Sequence, residues 1–238
     1  MAGLEVLDGA TIVFDLDGTL VDSAPDLIGT LNVLLEQEGV APVPLDDTAR
    51  SFIGQGARRM IERGFAAQGR ALAPPQMDAL FDRFLTHYQA HNADLTRPFP
   101  GVVEALTQLK DAGARLAVCT NKLTRLSTPI LDALDLSRFF DAVVGPDMAP
   151  APKPDGRHVA MAVELAGGDI GRAVMVGDSA ADAGSARAAG AALVLVEFGY
   201  TDIPAAELGG DVLIGHFDQL VESCVALLTA CSPPASGL

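Results

Sequence analysis

Two carboxylates lie two residues apart near the start of the chain, directly after a short apolar run. The run 11–14, Thr-Ile-Val-Phe, has the composition of a buried strand, and Asp15 and Asp17 follow it. Carboxylates close to an apolar core are costly unless a cation or a hydrogen-bond partner offsets their charge. One such group could attack a phosphoryl centre while its neighbour moves a proton. The competing interpretation is a solvated turn, because Asp-Gly pairs favour turns.

The composition of the chain limits what these carboxylates could act on. The 238 residues are enough for one large domain or a core with a smaller module, and 49% of them are hydrophobic. A formal net charge of −15 disfavours nucleic-acid binding, because the phosphate backbone would be repelled. A small anionic phosphorylated metabolite is still compatible if a metal and local cations reverse the field at the site.

The sequence also indicates a cellular compartment. No apolar run is long enough to cross a bilayer, so we expect no membrane partner. The first residues lack the basic start and the continuous apolar stretch of a signal peptide. Cys119, Cys224 and Cys231 are odd in number and are not spaced as metal ligands, which favours a reducing environment. We therefore expect a cytoplasmic protein, with a monomer and a homodimer both open.

Hydrophobic periodicity predicts a helical segment before an alternating one. No strong strand is present between residues 20 and 92, and the first helix is predicted to run from a cap at Ser23 to Gly39. Asp26, three residues after Ser23, would complete a near capping box. Three more helices are predicted over 46–52, 57–67 and 75–91. The span therefore reads as a separate helical insertion.

From Pro98 onward, strands and helices alternate. Strands are predicted over 115–119, 142–144, 173–176, 192–196 and 211–214. Helices are predicted over 102–112, 123–134, 157–166, 180–189 and 217–229. Such alternation favours an α/β fold, in which helices cover a parallel sheet.

Polar side chains follow three of the predicted strands, where a parallel sheet forms its binding sites. They are Asp15 and Asp17, Thr120 and Asn121, and Asp178 and Asp182. Lys153 lies in a Pro-rich loop just before a helix and could reach the same crevice. Taken singly, the threonine and the later aspartates could be helix caps, and the lysine could be a solvated surface residue. Their joint order favours a shared site.

These four groups, in this order, resemble the motifs of the haloacid dehalogenase-like hydrolase superfamily. The first motif matches residues 15–19, the second Thr120, the third Lys153 and the fourth residues 177–182. The resemblance spans roughly residues 12–192 and implies a Rossmann-like parallel sheet core with an inserted four-helix cap domain. It implies a core of residues 1–20 and 97–238, a cap of residues 21–96, and hinges near 20–22 and 92–98.

The resemblance also implies a chemistry. Asp17 is the second acid of phosphotransfer members, which dehalogenating members typically lack. Asp15 would form an aspartyl-phosphate, and Asp17 would act as general acid and base. Mg²⁺ would be held by the carboxylates of Asp15 and Asp178 and by the backbone carbonyl of Asp17. Other groups would assist: Thr120, Asn121 and Lys153 would bind the phosphate, and Asp182 would orient Lys153 or a metal-bound water.

Specificity is expected to lie in the cap. Gly54 and Gly56 permit tight backbone geometry before a helix whose N-terminal amides attract anions, with Arg58 as a partner for a small carboxylate. This segment resembles the Gly-x-Gly region of the phosphoglycolate phosphatase branch, which implies 2-phosphoglycolate as substrate. A plain loop with a solvated Arg58 is the alternative. Gly156 stands where many relatives have a second proline after the motif lysine.

Other functions are compatible with parts of the pattern. A phosphatase for a sugar phosphate, a nucleotide or pyrophosphate would share the core motifs, as would a phosphomutase. A non-catalytic binding module would be free to lose the acids that are intact here. A receiver domain has an acidic pocket too, but its phosphorylated acid follows a later strand and it has no helical insertion.

Overall fold

The six-stranded sheet at the centre of the molecule is parallel throughout. The structure is a computed structural model, and it describes residues 3–54, 56–201 and 203–231, the last of them by its backbone alone. The strands that form the sheet, in chain order, are β1 (Thr11–Phe14), β4 (Arg115–Cys119), β5 (Ala142–Val144), β6 (Ala173–Gly177), β7 (Ala192–Val196) and β8 (Val212–Ile214). Their spatial order is β5-β4-β1-β6-β7-β8. From β1 the chain adds β4 and β5 on one side of the sheet, and it then crosses to the other side to add β6, β7 and β8.

Helices cover both faces of this sheet. They are α5 (Val102–Asp111), α6 (Thr124–Ala133), α7 (Gly156–Leu165), α8 (Ala180–Ala189) and α9 (Leu220–Cys231). Short 3-10 helices lie at Leu4–Leu7, Ser137–Phe139, Ile170–Arg172, Ala205–Glu207 and Phe217–Gln219. Side chains of β1 alternate between the two faces: Ile12 and Phe14 pack in the cluster that includes residues of α5 and α9, and Val13 packs with α7 and α8. Burial on both faces explains the continuous apolar run of β1.

The helical insertion leaves and re-enters the core through a two-stranded antiparallel ribbon. The ribbon consists of β2 (Val21–Asp22) and β3 (Arg97–Pro98). Between them lie α1 (Ala24–Gln37), α2 (Asp47–Arg50), α3 (Ala57–Ala67) and α4 (Pro74–Ala90). These helices enclose an apolar cluster of their own, which also includes residues of α6, so the insertion packs directly on the core.

The predicted fold class is confirmed: an α/β core with a parallel sheet carries an inserted group of four helices in the described part of the chain. Predicted and observed bounds of the sheet strands differ by at most one residue, and α3 and α8 match in full. The ribbon strands have two residues each and lie in the segments predicted as hinges. The division of the chain into two domains at these points stays a prediction. No helix in the described residues is both long enough and apolar enough to span a membrane.

The predicted capping box at the start of α1 is wrong. Ser23 occupies the N-cap position, but its side chain makes no capping hydrogen bond and its Oγ donates to Asp17 Oδ1 at 2.5 Å. Asp26 accepts hydrogen bonds from the backbone amides of Leu95 and Thr96, at 3.0 and 2.8 Å, instead of reaching back to the cap. Both side chains therefore serve tertiary contacts that local spacing does not encode. The predicted end of α1 is confirmed, because Gly39 adopts a φ of +68° after its last turn.

Candidate active site

The register of the sheet brings the predicted strand-end residues to one edge. Phe14, the last residue of β1, is paired with Val118 of β4 and Val176 of β6. The residues that follow these positions therefore emerge side by side. The backbone N–H of Asp15 continues the pairing by donating to the carbonyl of Val176 at 2.9 Å. The crevice predicted from strand order is thus present at the carboxyl ends of β1, β4 and β6.

Lys153 is the centre of the charged network behind this edge. Its side chain is 1% exposed, and its Nζ lies 2.9 Å from Asp15 Oδ1 and 2.6 Å from Asp182 Oδ1. It also donates to the carbonyl of Cys119 at 2.7 Å. Burial lowers the pKa of Lys153, but Asp15 and Asp182 outweigh it, so the pKa lies above its ordinary value. The lysine is therefore a fixed positive charge beside the first motif.

The amide of Asn121 holds the backbone of Lys153 in place. Its Nδ2 donates to the carbonyl of Lys153 at 3.0 Å, and its Oδ1 accepts from the N–H of Lys153 at 2.9 Å. This reciprocal pair fixes the Pro-rich loop against the end of β4. Because both amide atoms are engaged, the observed contact of Asn121 is with Lys153. Its predicted contact with substrate stays a prediction.

Three buried or half-buried carboxylates form a cluster that fits a hard cation. One oxygen each of Asp15, Asp178 and Asp182 lies within 4.8 Å of the other two. Burial raises the pKa of Asp15 to about 6, even though Lys153 opposes the shift. Burial and the nearby acids also raise the pKa of Asp178 well above its usual value. Excess negative charge in an all-oxygen donor set is what a divalent cation such as Mg²⁺ neutralises.

Within this cluster the two later aspartates differ in the charge of the donors that contact them. Asp182 Oδ1 accepts a hydrogen bond from Lys153 Nζ. Asp182 Oδ2 accepts from Ser179 Oγ at 2.6 Å and from the N–H of Ser179 at 3.0 Å. Asp178 accepts from Thr19 Oγ1 at 3.0 Å and from the N–H of Tyr200 at 2.7 Å. Asp182 thus contacts Lys153 directly, and its predicted role of orienting that lysine or a metal-bound water stays a prediction. Asp178 is held by neutral donors, which leave its charge uncompensated.

A cavity of about 410 Å³ lies between this edge and the insertion. Its core side carries the polar residues Asp15, Asp17, Thr120, Asn121 and Lys122 beside the apolar Leu123, Leu126 and Pro146. The insertion side is formed mainly by apolar side chains with a single charged one: Leu27, Ile53, Met60, Phe81, Phe84, Leu85 and Arg58. Gly54 and Gly56 also line it, with φ of +94° and +85°, in the left-handed region that glycine permits. Lys153, Asp178 and Asp182 lie outside its lining, behind Asp15.

Comparisons with known proteins agree with this arrangement. The sequence profile described as "Haloacid dehalogenase-like hydrolase" matches residues 12–196. The chain belongs to this family. Among curated relatives, a phosphoglycolate phosphatase of Caulobacter vibrioides is 58% identical over all of both chains. One of Agrobacterium fabrum is 47% identical and covers 87% of this chain and 89% of its own.

A solved structure extends the likeness to three dimensions. The crystal structure of a predicted phosphoglycolate phosphatase from Haemophilus somnus 129pt has a TM-score of 0.83 and 29% sequence identity. The match covers 91% of this chain and 98% of that chain. The structural likeness of this haloacid dehalogenase-like hydrolase therefore includes both the sheet and the helical insertion.

Arg58 lies on the insertion side of the hydrolase's cavity, and a carboxylate already neutralises it. Its guanidinium forms an ion pair with Asp78 at 2.7 Å and lies 4.3 Å from the ring centre of Phe81. The side chain is 51% exposed. The structure therefore brings Arg58 to the same cavity as Asp15, but without the fixed partners that Lys153 has. An exposed ion pair of this kind exchanges readily for another anion.

Sequence reasoning missed two residues of this hydrolase's site. Lys122 contacts Asp17, and it stands directly after Thr120 and Asn121 in the chain, so its position was a usable signal. Tyr200 holds Asp178 through its backbone, and its hydroxyl donates to Asp22 in the ribbon. No motif marks Tyr200, because the backbone contact could be made by any residue.

Proposed function

We propose that this chain is a Mg²⁺-dependent phosphatase that hydrolyses a small phosphomonoester through an aspartyl-phosphate on Asp15. The observation that carries the proposal is the setting of this carboxylate at the cavity. Its Oδ1 accepts from the N–H of Leu16 at 2.7 Å and lies 2.9 Å from Lys153 Nζ. Its Oδ2 accepts no hydrogen bond from the described residues. One oxygen is thus fixed and the other is available to attack phosphorus.

The proposed reaction has two steps. In the first, an oxygen of Asp15 bonds to phosphorus, the bond to the ester oxygen breaks, and Asp17 gives its proton to the departing oxygen. In the second, Asp17 takes a proton from a water that attacks phosphorus, which releases inorganic phosphate and restores both aspartates. Asp17 gives up one proton in the first step and regains one in the second, so its protonation state is the same at the start and the end of the cycle.

The remaining residues would position the phosphate. Thr120 Oγ1 accepts from the N–H of Lys122 at 3.1 Å, and its hydroxyl proton donates to no described residue. It is therefore available for a phosphate oxygen, and Lys153 offers positive charge beside it. Mg²⁺, held by the carboxylates of Asp15 and Asp178 and the carbonyl of Asp17, would let an anionic nucleophile approach an anionic ester.

We propose 2-phosphoglycolate as the substrate. The names of the two curated relatives support it, as do Gly54, Gly56 and Arg58 on the insertion side of the cavity. Arg58 would exchange Asp78 for the carboxylate of the substrate, which replaces one exposed ion pair by another. Such a partner selects for a carboxylate without contributing to the chemistry at phosphorus.

The experiment that tests the function is an assay of phosphate release. 2-Phosphoglycolate is compared with sugar phosphates, nucleotides and pyrophosphate, in Mg²⁺ and then in EDTA, for the wild type and Asp15→Asn. We expect a preference for 2-phosphoglycolate that is lost in EDTA and in the variant. Mg²⁺-dependent hydrolysis of another compound would overturn the substrate alone. Phosphate release by Asp15→Asn at the wild-type rate would overturn the mechanism.

Two further points belong to the same proposal. The core of residues 1–20 and 97–238 and the cap of residues 21–96 would be separate domains that move about the ribbon, which would let substrate enter and would exclude water on closure. The free thiols of Cys119 and Cys224 are buried. They are compatible with the reducing cytoplasm, where a small phosphorylated metabolite would be the partner.

A further inference from the structure

Lys122 is a buried cation that the proposed reaction does not use. Its side chain is 7% exposed, and its Nζ lies 2.6 Å from Asp17 Oδ1. It also donates to the hydroxyl of Tyr88 at 2.7 Å. An ammonium this deeply buried is costly unless charge and hydrogen bonds compensate it. The contacts with Asp17 and Tyr88 supply that compensation, so the role of Lys122 is to be sought in them.

The hydrogen bonds to Asp17 all end on one oxygen. Ser23 Oγ and Lys122 Nζ both donate to Oδ1, at 2.5 and 2.6 Å. No described residue donates to Oδ2, and Asp17 lines the cavity. Two donors on one oxygen restrict rotation of the carboxylate and leave the other oxygen for an exchangeable proton. The arrangement at Asp15 is the same, with Lys153 in place of Lys122.

Tyr88 connects this pair to the insertion. It lies in α4, its side chain is 1% exposed, and its ring stacks on Phe84 at 5.7 Å between centres. Burial raises the pKa of Tyr88 to about 12, although Lys122 opposes the shift, so the hydroxyl keeps its proton at neutral pH. Lys122 is thus in contact with the proposed acid of the core and with a rigid aromatic residue of the insertion.

We propose that Lys122 is a positioning residue: it fixes the carboxylate of Asp17 for proton transfer and ties that orientation to the seating of α4 on the core. The inference rests on the proposed function, in which Asp17 moves the protons. It assigns a separate lysine to each aspartate of the first motif, Lys153 to Asp15 and Lys122 to Asp17. The chain has only one other lysine, Lys110, which pairs with Asp141 outside the cavity.

A comparison of leaving groups separates this role from a structural one. An alkyl ester such as 2-phosphoglycolate needs a proton on its departing oxygen, whereas p-nitrophenyl phosphate releases a stable phenolate without one. A misplaced Asp17 therefore slows both steps for the alkyl ester but only the second step for the aryl ester. Loss of overall fold would slow every step of both.

The variant that tests it is Lys122→Met, with Lys110→Met as the matched control and Asp17→Asn as the reference. For Lys122→Met we expect kcat on 2-phosphoglycolate to fall about 10²-fold, the size of a typical general acid–base contribution. In rapid mixing with p-nitrophenyl phosphate, the burst of nitrophenol keeps its rate within about threefold while the following steady rate falls, as a lost general base predicts. Asp17→Asn should show the same signature, and Lys110→Met should match the wild type.

Tyr88→Phe tests the link to α4. It removes the hydroxyl and keeps the stacked ring, so we expect a several-fold higher KM with an unchanged burst. If the hydroxyl of Tyr88 acts through Lys122, the double variant Lys122→Met/Tyr88→Phe should have the same kcat and KM on 2-phosphoglycolate as Lys122→Met alone. Additive losses would overturn the link, and equal losses of burst and steady rate in Lys122→Met would overturn the positioning role.

Folding is checked by circular dichroism and thermal melting of every variant. If Lys122→Met does not fold, Lys122→Arg replaces it. Because arginine keeps the positive charge beside Asp17, we expect this variant to keep more than half of the wild-type steady rate. A Lys122→Arg variant as slow as Asp17→Asn would overturn the proposal. Wild-type protein inactive on both esters would overturn the proposed function together with this inference. An active wild type with wild-type kinetics in Lys122→Met would overturn the inference alone.

Discussion

The core side and the insertion side of the cavity hold their charges in opposite ways. Lys153, which lies behind Asp15 on the core side, is 1% exposed and has three partners: Asp15 after β1, Cys119 in β4 and Asp182 in α8. Arg58, on the insertion side, is 51% exposed and has one ionic partner, Asp78, in a neighbouring helix. In terms of the proposed function, the lysine that would act at phosphorus is immobilised, whereas the arginine that would select the substrate has an exchangeable partner.

Energetics supports that division. Breaking a buried ion pair costs about 3–5 kcal/mol, because the remaining charge has no compensation, whereas exposed pairs contribute about 0–1 kcal/mol. A substrate can therefore displace the partner of Arg58 at little cost but cannot displace the partners of Lys153. Buried, preorganised charge such as that of Lys153 is what stabilises a transition state.

The largest expected effect is that of Lys153→Met. It would leave Asp15 and Asp182 buried without a cation, so we expect kcat to fall about 10²–10³-fold and the free energy of unfolding to drop by about 3–5 kcal/mol. Phosphate release and urea unfolding measure the two. Lys110→Met, which breaks a partly exposed pair, is the control, and equal behaviour of the two variants would erase the contrast between the sides.

The next effect concerns the cation. Because burial raises the pKa of Asp15 to about 6 and also raises the pKa of Asp178, protons compete with Mg²⁺ more strongly at pH 5 than at pH 7.5. At a concentration 100 times its Kd, Mg²⁺ stabilises the fold by about 2.7 kcal/mol, or roughly 5–10 °C in Tm for a chain of this size. We expect this shift at pH 7.5 and a much smaller one at pH 5 in melting curves. Asp178→Asn should lose it at both, and an equal shift at both pH values in the wild type would refute the site.

A smaller effect is expected at the exchangeable side. Arg58→Met should raise KM for 2-phosphoglycolate by up to about fivefold, which corresponds to about 1 kcal/mol for one exposed charge contact, and leave kcat on p-nitrophenyl phosphate unchanged. Arg59→Met is the matched control, because Arg59 is the next residue of α3 and forms a comparably exposed ion pair with Glu62. The same KM in both variants would mean that Arg58 does not meet the substrate.

The smallest effect is expected where the two sides meet, at the ribbon. Burial raises the pKa of Asp22, but hydrogen bonds from Arg50 and Tyr200 outweigh it, so the pKa lies below its ordinary value. A carboxyl with a lowered pKa stabilises the fold above its ordinary pKa and loses that contribution as the pH falls through the folded value. Wild type should therefore exceed Asp22→Asn by about 1 kcal/mol in unfolding free energy at pH 7, with the difference lost as the pH falls through the folded pKa of Asp22. A constant difference across this range would rule out the ion pair as its source.

The sequence predicts the core side better than the insertion side for a physical reason. β1, β4 and β6 are buried on both faces, so they appear as apolar runs, and the polar residues after them are local in sequence. Lys153 meets Asp15 because the loop between β5 and α7 returns to the end of β4, which lies beside β1 in the sheet. The contacts of Lys153, Asp178 and Asp182 could thus be anticipated, although their roles stay predictions.

Contacts between the sides could not be anticipated in the same way. Tyr88 occupies an apolar position of α4 and looks like an ordinary core residue until its hydroxyl meets Lys122. Ser23 has the type and place of a helix cap but bonds to Asp17 instead. The strands of the ribbon have two residues each, too few for any period to show. Each of these depends on how the insertion packs, and local propensity does not determine that packing.

The pairing of β2 with β3 makes the two ends of the insertion neighbours, since Asp22 is paired with Arg97 and Val21 with Pro98. The core sheet therefore experiences the whole helical segment as one closed loop. The conformational entropy of closing a loop grows only with the logarithm of its length, so doubling the segment would cost the core about 0.6 kcal/mol. A segment of different size or shape could be exchanged at this ribbon with little effect on the stability of the sheet, and the chemistry would stay with the core while the choice of substrate changed.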